Sequence, residues 1–480
     1  MHMQFPEEKM QKFYPGVYTP EEQAAIDRFR RGETGAMFGS KGPSVPSTDQ
    51  WVMQLYARCW DRWNPLFNDP DYAKQTVWGN LPAMPGYISM ETRNKIPPEL
   101  GYETRPDGTT FVGDGYDHTD EYYAPVFPGD QLTARDVAWD VIDVTPKEGS
   151  IKRRMIFINT CEVTNQDGVV VARCIRRWPE SLMRGLDDET NAMLAAQVPG
   201  AEPAKKPEGK EGGPGGAGGP GGPGGAGGPG GPGGAGGPGL PGAGAVGGGG
   251  RHASHIYTRE DYDKMVEIWK GEKIRGAKPL YWEDVNIGDE PTPVCSPPQV
   301  GFEIVRTMAA WQIMKDNNGL KEVLTGVGGD PHFYQFDPTT GLYRNESGHL
   351  GLGSVAYLYN FHAKCLNARI FTNWCGDQGF VTKLGWRFVN DAPKDQQYNH
   401  FPADFYRPTE LLKVPYMKDR YANAHGYGDD AFITRAYVVD KYIGEDGGHY
   451  VDLIAWCEDF DGNIGQEIPA TVKLPSKAEQ

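Results

Sequence analysis

The stretch ITRAYVVDKYIGEDGGHYVDLIAWCEDFDGNIGQEIPATVKL, residues 433–474, contains three runs that are rich in β-branched and aromatic residues. Two short polar turns, at Glu445–Gly448 and Asp461–Asn463, separate these runs. An Asp-Gly pair between such runs is a strong signal for a β-hairpin. Residues 433–474 therefore predict three antiparallel strands.

The first half of the chain repeats this pattern. IKRRMIFINTCEVTNQDGVVVARCIRRW, residues 151–178, predicts two strands joined by a turn at Asn165–Gly168. In each half an apolar segment that predicts a helix precedes the strands, at 82–96 and at 351–374. One helix followed by a curled antiparallel sheet, twice over, predicts an α+β duplication.

A glycine-rich segment separates the two halves. Residues 212–241 are ten consecutive triplets of the types GGP and GGA, the last of which is GLP. Such a segment cannot offset its ordering entropy by burying apolar surface, so we interpret it as a flexible linker. Glycine at every third position also permits polyproline-II geometry, so extended strands that pack together, or a short collagen-like association, remain an alternative.

Composition and charge limit the possible functions. The 480 residues are 38% hydrophobic and 11% aromatic, which suffices for two or three domains. The net charge of −16 argues against nucleic-acid binding. No run approaches the roughly 18 apolar residues of a membrane-spanning helix, and the N-terminus lacks the apolar segment of a secretory signal. The seven cysteines are scattered without a CxxC pair, which favours reduced thiols in a cytoplasmic protein over disulfides or a zinc site.

Several segments of both halves resemble one known family, the MaoC-like acyl dehydratases, in the two-domain branch named after the dehydratase region of fatty-acid synthase. In the first half the resemblance lies in residues 67–87, 121–141 and 164–174. In the second half it lies in residues 279–290, 336–352 and 371–380. This resemblance implies a double hot-dog fold, in which each half is a central helix wrapped by a curved antiparallel sheet and the two sheets join edge to edge. It also implies coenzyme A thioester substrates and reversible addition of water across a 2,3-double bond.

The linker and the resemblance together predict four parts of the chain. They are an N-terminal extension (1–45), a first hot-dog domain (46–200), the Gly/Pro-rich linker (201–250) and a second hot-dog domain (251–480).

Hydration of an enoyl thioester requires a base for water, an acid for the α-carbon and a donor to the enolate-like oxygen. The family implies an Asp and a His on one loop for proton transfer, and backbone N–H groups at the start of the central helix as the donor. The stretch WDRWNPLFNDPDYA, residues 60–73, resembles this loop, but Phe67 occupies the place of the His and cannot transfer a proton. We therefore expect the first half not to catalyse. Its loop residues are instead predicted to bind the acyl group, with core aromatics beside a turn as the alternative: Trp60, Asp61, Trp63, Asn64 and Phe67.

In the second half the family's histidine is placed by resemblance on His349 of ESGHLGL. Glu346 is the acidic residue just upstream and is its candidate partner, with Asp337 and the pair Asp330/His332 as competitors. Relatives carry an acid two residues after this histidine, where this chain has Gly351. An ordinary surface or capping role for His349 therefore remains open.

The start of the second central helix supplies the remaining predicted group. Gly353 and Ser354 stand where this helix begins, so their N–H groups are candidate donors to the thioester oxygen. Plain helix capping is an equally simple role for Ser354.

Other ionisable residues have a structural interpretation beside a functional one. His118 is predicted to be a loop histidine and His362 a core histidine. Asp377 in NWCGDQGF is a candidate substrate-binding residue, with a turn aspartate beside two glycines as the alternative. Four basic residues are candidates for the phosphates of coenzyme A, or else lie on solvated strand faces: Arg153, Arg154, Lys383 and Arg387.

Taken together, these patterns predict an acyl-CoA hydratase or dehydratase whose active site lies in the second half. No metal or redox cofactor is implied, since coenzyme A enters as part of the substrate. The 12 tryptophans and 24 tyrosines suggest a bulky or aromatic acyl group. The alternatives are a non-catalytic acyl-CoA-binding or assembly subunit, or a thioesterase on the same scaffold. Partners are expected to be the acyl-CoA and other subunits of a homo- or hetero-oligomer.

Overall fold

The structure is a computed structural model of the chain. It describes residues 12–34, 48–88, 97–100, 117–150, 153–182, 258–296, 336–337, 342–343, 368–388, 409–421, 431–460, 462 and 464–479.

Eleven strands occur in the described residues. Those of the first half are β1 (Asp117–Tyr122), β2 (Thr133–Asp143), β3 (Arg153–Thr164) and β4 (Val170–Leu182). The second half contains β5 (Val294–Ser296), β6 (Phe336–Asp337), β7 (Leu342–Tyr343), β8 (Phe380–Phe388), β9 (Phe432–Ile443), β10 (His449–Asp459) and β11 (Ile464–Leu474).

Helices lie before and between the strands. Those of the first half are α1 (Pro20–Arg30), α2 (Gln50–Trp60), α3 (Pro65–Asn68) and α4 (Pro70–Ala73). Those of the second half are α5 (Arg259–Gly271), the helical residues 368–375, here called α6, and α7 (Lys418–Tyr421). Short 3₁₀ turns occur at Pro98–Leu100, Trp282–Asp284, Glu410–Lys413 and Lys477–Glu479.

Nine of the strands form one continuous antiparallel sheet. Its order is β2-β3-β4-β1-β8-β11-β10-β9-β5, and β6 and β7 form a separate pair. The four strands of the first half therefore meet the five of the second where β1 pairs with β8, with His118 opposite Trp386. Two antiparallel sheets joined edge to edge are what the predicted α+β double hot-dog fold requires, and that prediction is confirmed.

The hairpins predicted from the Asp-Gly turns are also confirmed. β3 and β4 are joined through Asn165–Gly168, where Gly168 has a φ of 74° that favours glycine. β9, β10 and β11 follow one another in the sheet as predicted from residues 433–474.

The helix predicted at 82–96 is wrong for its described part, residues 82–88, which form bends and turns. Pro82 and Pro85 cannot donate helical hydrogen bonds, and Gly86 has a φ of 90°. The N–H of Ala83 instead donates to the carbonyl of Val126. The helix predicted at 351–374 is confirmed in the residues that the structure describes, where α6 runs over 368–375.

His118 lies on a strand, so its prediction as a loop histidine is wrong. The sequence DHTDEY of β1 resembles a polar loop, yet β1 is paired on both sides and His118 is only 1% exposed. The ring of His118 meets that of Trp386 edge-on, at 5.7 Å between centroids. Its neighbour Asp120 is buried against Arg176, with 2.9 Å between Oδ1 and Nη1.

Two of the basic residues considered for coenzyme A phosphates are buried in ion pairs. Arg387 Nε lies 2.6 Å from Glu467 Oε1, and both side chains are 0% exposed. Arg153 is held by Glu22, at 3.3 Å, and by Asp143, at 3.5 Å. Arg153 and Arg387 therefore lie neither at a pocket mouth nor on a solvated strand face, because both side chains are buried and occupied by carboxylates.

The N-terminal extension packs on the first sheet. The side chain of Thr19 accepts from the N–H of Glu22 and so begins α1, while the Glu22 carboxylate accepts from the N–H of Thr19. From α1, Phe29 packs edge-on against Phe157 of β3 and Trp139 of β2, at 5.0 and 5.6 Å between centroids. Residues 20–30 therefore cover one face of the first sheet.

Phe29→Ala tests whether this cover is part of the fold. Phe29 is fully buried, so its truncation is expected to cost about 3–5 kcal/mol of unfolding free energy. Val17→Ala is the control, because Val17 is 64% exposed and its truncation is expected to change stability by less than about 0.5 kcal/mol. Urea unfolding followed by tryptophan fluorescence measures both. Equal stability of the two variants would contradict the packing described for α1.

Candidate functional site

The loop between α2 and α3 holds the predicted pair Asp61 and Asn64 in fixed positions. Asp61 ends α2, and its N–H donates to the carbonyl of Ala57 at 2.7 Å. Asn64 begins α3, where its side chain accepts from the N–H of Leu66 at 3.1 Å. The amide of Asn68 donates to the backbone carbonyls of both Asp61 and Asn64, at 2.8 Å each. The backbone around Asp61 is therefore fastened from both sides.

The Asp61 carboxyl is buried with one oxygen unused. Asp61 is 3% exposed, and its Oδ2 atom has no hydrogen-bond partner among the described residues. The pKa of Asp61 is raised to about 6, chiefly by burial. The charge of Arg369 and a hydrogen bond from Asn64 lower this pKa, and the charge of Glu272 raises it. A carboxyl group of this kind can hold or release a proton close to neutral pH.

The second half supplies the charges that act on Asp61. Arg369 lies on α6 and donates through Nη2 to Glu272 Oε1, at 3.1 Å, and to the carbonyl of Cys295, at 2.6 Å. Glu272 follows α5, and its Oε1 also accepts from the N–H of Cys295 at 2.9 Å. Burial raises the pKa of Glu272 as well, although Arg369 acts against this shift.

Asp377 connects the two halves beside this loop. Its Oδ2 accepts from the hydroxyl of Tyr72, and its carbonyl accepts from the indole N–H of Trp78, both at 2.6 Å. Its own N–H donates to the carbonyl of Gly276 at 3.0 Å. Gly376 just before it has a φ of 71°, and a Cβ there would lie 2.8 Å from that same carbonyl. Asp377 thus lies in a turn, as its glycines indicate, and it fastens Tyr72 and Trp78 of the first half to the second. Its role in substrate binding stays a prediction.

The aromatic residues predicted at the acyl pocket lie in two different places. Trp60 and Phe67 are buried, each 5% exposed, in a core shared by both halves. Trp63 is 74% exposed, and the guanidinium of Arg62 lies 5.3 Å from its ring centroid. The structure therefore brings together Asp61 and Asn64 but places Trp63 away from the buried core.

The residues predicted for catalysis in the second half lie outside the described residues. They are His349, Glu346, Gly353 and Ser354. Their roles stay predictions.

Sequence reasoning missed Arg369 and Glu272 as parts of this site. Arg369 lies within the helix candidate 351–374, and a charged residue at an otherwise apolar helical spacing was the signal that could have identified it. Glu272 follows an amphipathic helix outside the segments that resemble the family, so the sequence carried no comparable signal for it.

Two further findings concern the described residues alone. They contain no group of three or more His, Cys, Asp or Glu side chains arranged to hold a metal ion. Among their helices, none has the length and apolar character needed to cross a membrane.

Asp61→Asn tests the buried carboxyl through stability. Because the pKa of Asp61 in the folded protein is about 6, above its ordinary value of 3.8, the folded state binds more protons than the unfolded chain between these pH values. The wild-type free energy of unfolding should therefore fall as the pH rises from about 4 to about 6. At pH 7 the Asn variant should be more stable than wild type by up to about 3 kcal/mol, and at pH 4 this advantage should vanish.

Urea unfolding at the two pH values measures this difference. Asp71→Asn is the matched control, because the Asp71 side chain is 91% exposed on the nearby helix α4. A stability advantage of Asp61→Asn that is the same at both pH values would contradict a raised pKa for Asp61.

Comparison with known proteins finds solved structures of low identity to this chain. No protein-family model matches the sequence, and no curated protein matches it. Among solved structures, a MaoC-like dehydratase is 13% identical with a TM-score of 0.38, covering 91% of this chain and 97% of its own. A conserved protein from Mycobacterium tuberculosis, described as having a double hotdogfold, is 10% identical with a TM-score of 0.37, covering 92% of this chain and 98% of its own.

A MaoC-like dehydratase from Phytophthora capsici is 10% identical with a TM-score of 0.34, covering 94% of this chain and 98% of its own. At identities and TM-scores as low as these, the similarities carry no argument about the family, activity or substrate of this chain.

Proposed function

We propose that this chain is a hydratase or dehydratase that adds or removes water across the 2,3-double bond of an acyl-CoA thioester, with Asp61 as a proton-transfer group. The observation that carries the proposal is the buried Asp61 carboxyl, whose Oδ2 has no hydrogen-bond partner among the described residues and whose pKa is raised to about 6. Asp61 and Asn64 also occupy the loop that resembles the acid–base loop of the MaoC-like family.

The proton balance of hydration explains why a carboxyl group of this kind suits the reaction. Water forms a bond to C3 while it gives one proton to a base, and C2 receives one proton from an acid. An ionised Asp61 can accept the proton of water, and a protonated Asp61 can return it in the dehydration direction. A pKa of about 6 keeps both forms available near neutral pH.

The donors to the thioester oxygen come from the sequence predictions and are the N–H groups of Gly353 and Ser354. The resemblance assigns His349, with Glu346 as its partner, to proton transfer with water; with Asp61 in that role, His349 is here proposed as the acid for C2. The first half also contributes a reacting group in this proposal, whereas the sequence predicted that it only binds the acyl chain. Coenzyme A would be part of the substrate, in a cytoplasmic homo- or hetero-oligomer.

The test is loss of enoyl-thioester absorbance with short, long and aromatic 2-enoyl-CoAs. Asp61→Asn and Asp61→Ala should each lower kcat by at least about 10²-fold, because general acid–base groups contribute about 10²–10⁴-fold. Asp71→Asn should retain near-wild-type turnover, since the Asp71 side chain is exposed on α4. His349→Ala is expected to lose a similar factor.

Two results would overturn the proposal. Full activity of Asp61→Asn would remove Asp61 from the chemistry. Binding of coenzyme A thioesters without turnover of any member of the panel would favour a non-catalytic acyl-CoA-binding subunit.

A further inference from the structure

We infer that Asp377 of the second half is a positioning residue, which holds the Asp61 loop of the first half, residues 61–64, in place through its hydrogen bond with Tyr72. This inference rests on the proposed function for its catalytic meaning, but the dependence of the loop on Asp377 can be tested without turnover.

Asp377 is itself fixed by contacts within the second half. Its N–H donates to the carbonyl of Gly276 at 3.0 Å, and the N–H of Arg275 donates to the carbonyl of Asn373 on α6, also at 3.0 Å. Asp377 is only 3% exposed. Its carboxyl group is therefore an acceptor with a fixed position at the end of α6.

Two side chains of the first half bind this residue. The Tyr72 hydroxyl donates to Asp377 Oδ2, and the Trp78 indole N–H donates to the Asp377 carbonyl, both at 2.6 Å. The first of these distances lies in the range of hydrogen bonds from a hydroxyl to a charged carboxylate, which are stronger than neutral ones. The Trp78 ring also packs against Phe380 of β8, at 5.7 Å between centroids. Asp377 thus anchors α4 and the residues after it to the second half.

Hydrogen bonds continue from Tyr72 back to the Asp61 loop. The N–H of Tyr72 donates to Asp69 Oδ1 at 3.2 Å, and the N–H of Asp69 donates to the carbonyl of Pro65 at 2.9 Å. Asn68, next to Asp69 in the chain, donates its side-chain amide to the carbonyl of Asp61 at 2.8 Å. A displacement of Tyr72 would therefore be passed to the backbone of Asp61.

Local structure alone cannot hold this arrangement. The helices α3 and α4 have four residues each, and helices of this length do not form in isolation. Leu66, Phe67 and Ala73 are buried, but apolar burial is non-directional and does not fix an orientation. The hydrogen bond from Tyr72 to Asp377 has a defined distance and angle, and so supplies the missing constraint.

Hydrogen–deuterium exchange measures whether the Asp61 loop depends on this contact. Tyr72→Phe and Asp377→Ala each remove the bond. The amides of residues 61–69 should then exchange at least roughly tenfold faster, which corresponds to the loss of one hydrogen bond to a charged group. Asp377→Asn keeps an acceptor oxygen and should restore the wild-type exchange rate.

Tyr450→Phe is the matched control. The Tyr450 hydroxyl donates to Asp446 Oδ2 at 2.7 Å, so this variant removes the same kind of bond from a hairpin of the second half. It should leave both the exchange of residues 61–69 and the turnover of 2-enoyl-CoAs unchanged.

Kinetics separate positioning from the substrate-binding role that the sequence predicts for Asp377. If the contact positions Asp61, kcat should fall by about 10-fold to 10²-fold in both variants, because a misplacement of about 1 Å can cost about 10²-fold. KM should stay within about twofold of wild type. The double variant should lose no more than either single variant, since both substitutions remove one shared contact.

Faster exchange at residues 61–69, non-additive losses of kcat and recovery in Asp377→Asn support the inference. Faster exchange confined to residues 70–79 would overturn it. A raised KM in Asp377→Ala that Tyr72→Phe does not share would also overturn it, because that result assigns Asp377 to substrate binding. If Asp377→Ala fails to fold, Tyr72→Phe decides alone. Exchange needs no turnover, so a wild-type protein that acts on no enoyl-CoA would contradict the proposed function while the exchange result still decides this inference.

Discussion

The pairing of β1 with β8 is the constraint on which the rest of the structure depends. Each strand is the edge of its own half, and their pairing removes both edges from solvent. Their register places His118 opposite Trp386 and Asp117 opposite Arg387. A slip of one residue between β1 and β8 would turn the side chains of one strand to the other face and would separate the rings of His118 and Trp386. Side-chain burial along this pair of strands thus fixes the register between the two halves.

Because the two halves are joined in this way, side chains of the first half can form hydrogen bonds with residues of the second. Tyr72 and Trp78 of the first half bind Asp377, which closely follows α6. Asp61 lies upstream of these two residues at the end of α2, and Arg369 lies on α6 itself. Phe67, at the position where the sequence resemblance predicts a histidine, packs in the core. Burial is the largest cause of the raised pKa of Asp61, while the charge of Arg369 lowers this pKa and that of Glu272 raises it.

The sequence predicted those parts of the fold whose signals are local. Asp-Gly turns and alternating residues identified the hairpins of β3 with β4 and of β9 to β11, since turn geometry and strand periodicity are both encoded within a few residues. The helix predicted at 82–88 was wrong, because that prediction followed the apolar residues and gave too little weight to Pro82 and Pro85. The sequence also did not predict β1. Asp117 and Asp120 of DHTDEY are buried in ion pairs with arginines of β4, which is distant along the chain, and no local pattern reveals such partners.

The candidate site was predicted only in part for the same reason. The loop resemblance identified Asp61 and Asn64, which the structure places together. The sequence carried only a weak signal for Arg369 and none for Glu272, because the two meet through hydrogen bonds to the backbone of Cys295, which is distant from both along the chain. The catalytic roles given to residues 346–354 remain predictions from the sequence resemblance.

The central claim is that the buried Asp61 carboxyl titrates close to neutral pH, because burial raises its pKa to about 6. The infrared difference between wild type and Asp61→Asn, followed as a function of pH, tests it most directly, because this difference isolates the carboxyl band of Asp61. The account predicts a titration midpoint near pH 6. A midpoint near the ordinary value of 3.8 would contradict it.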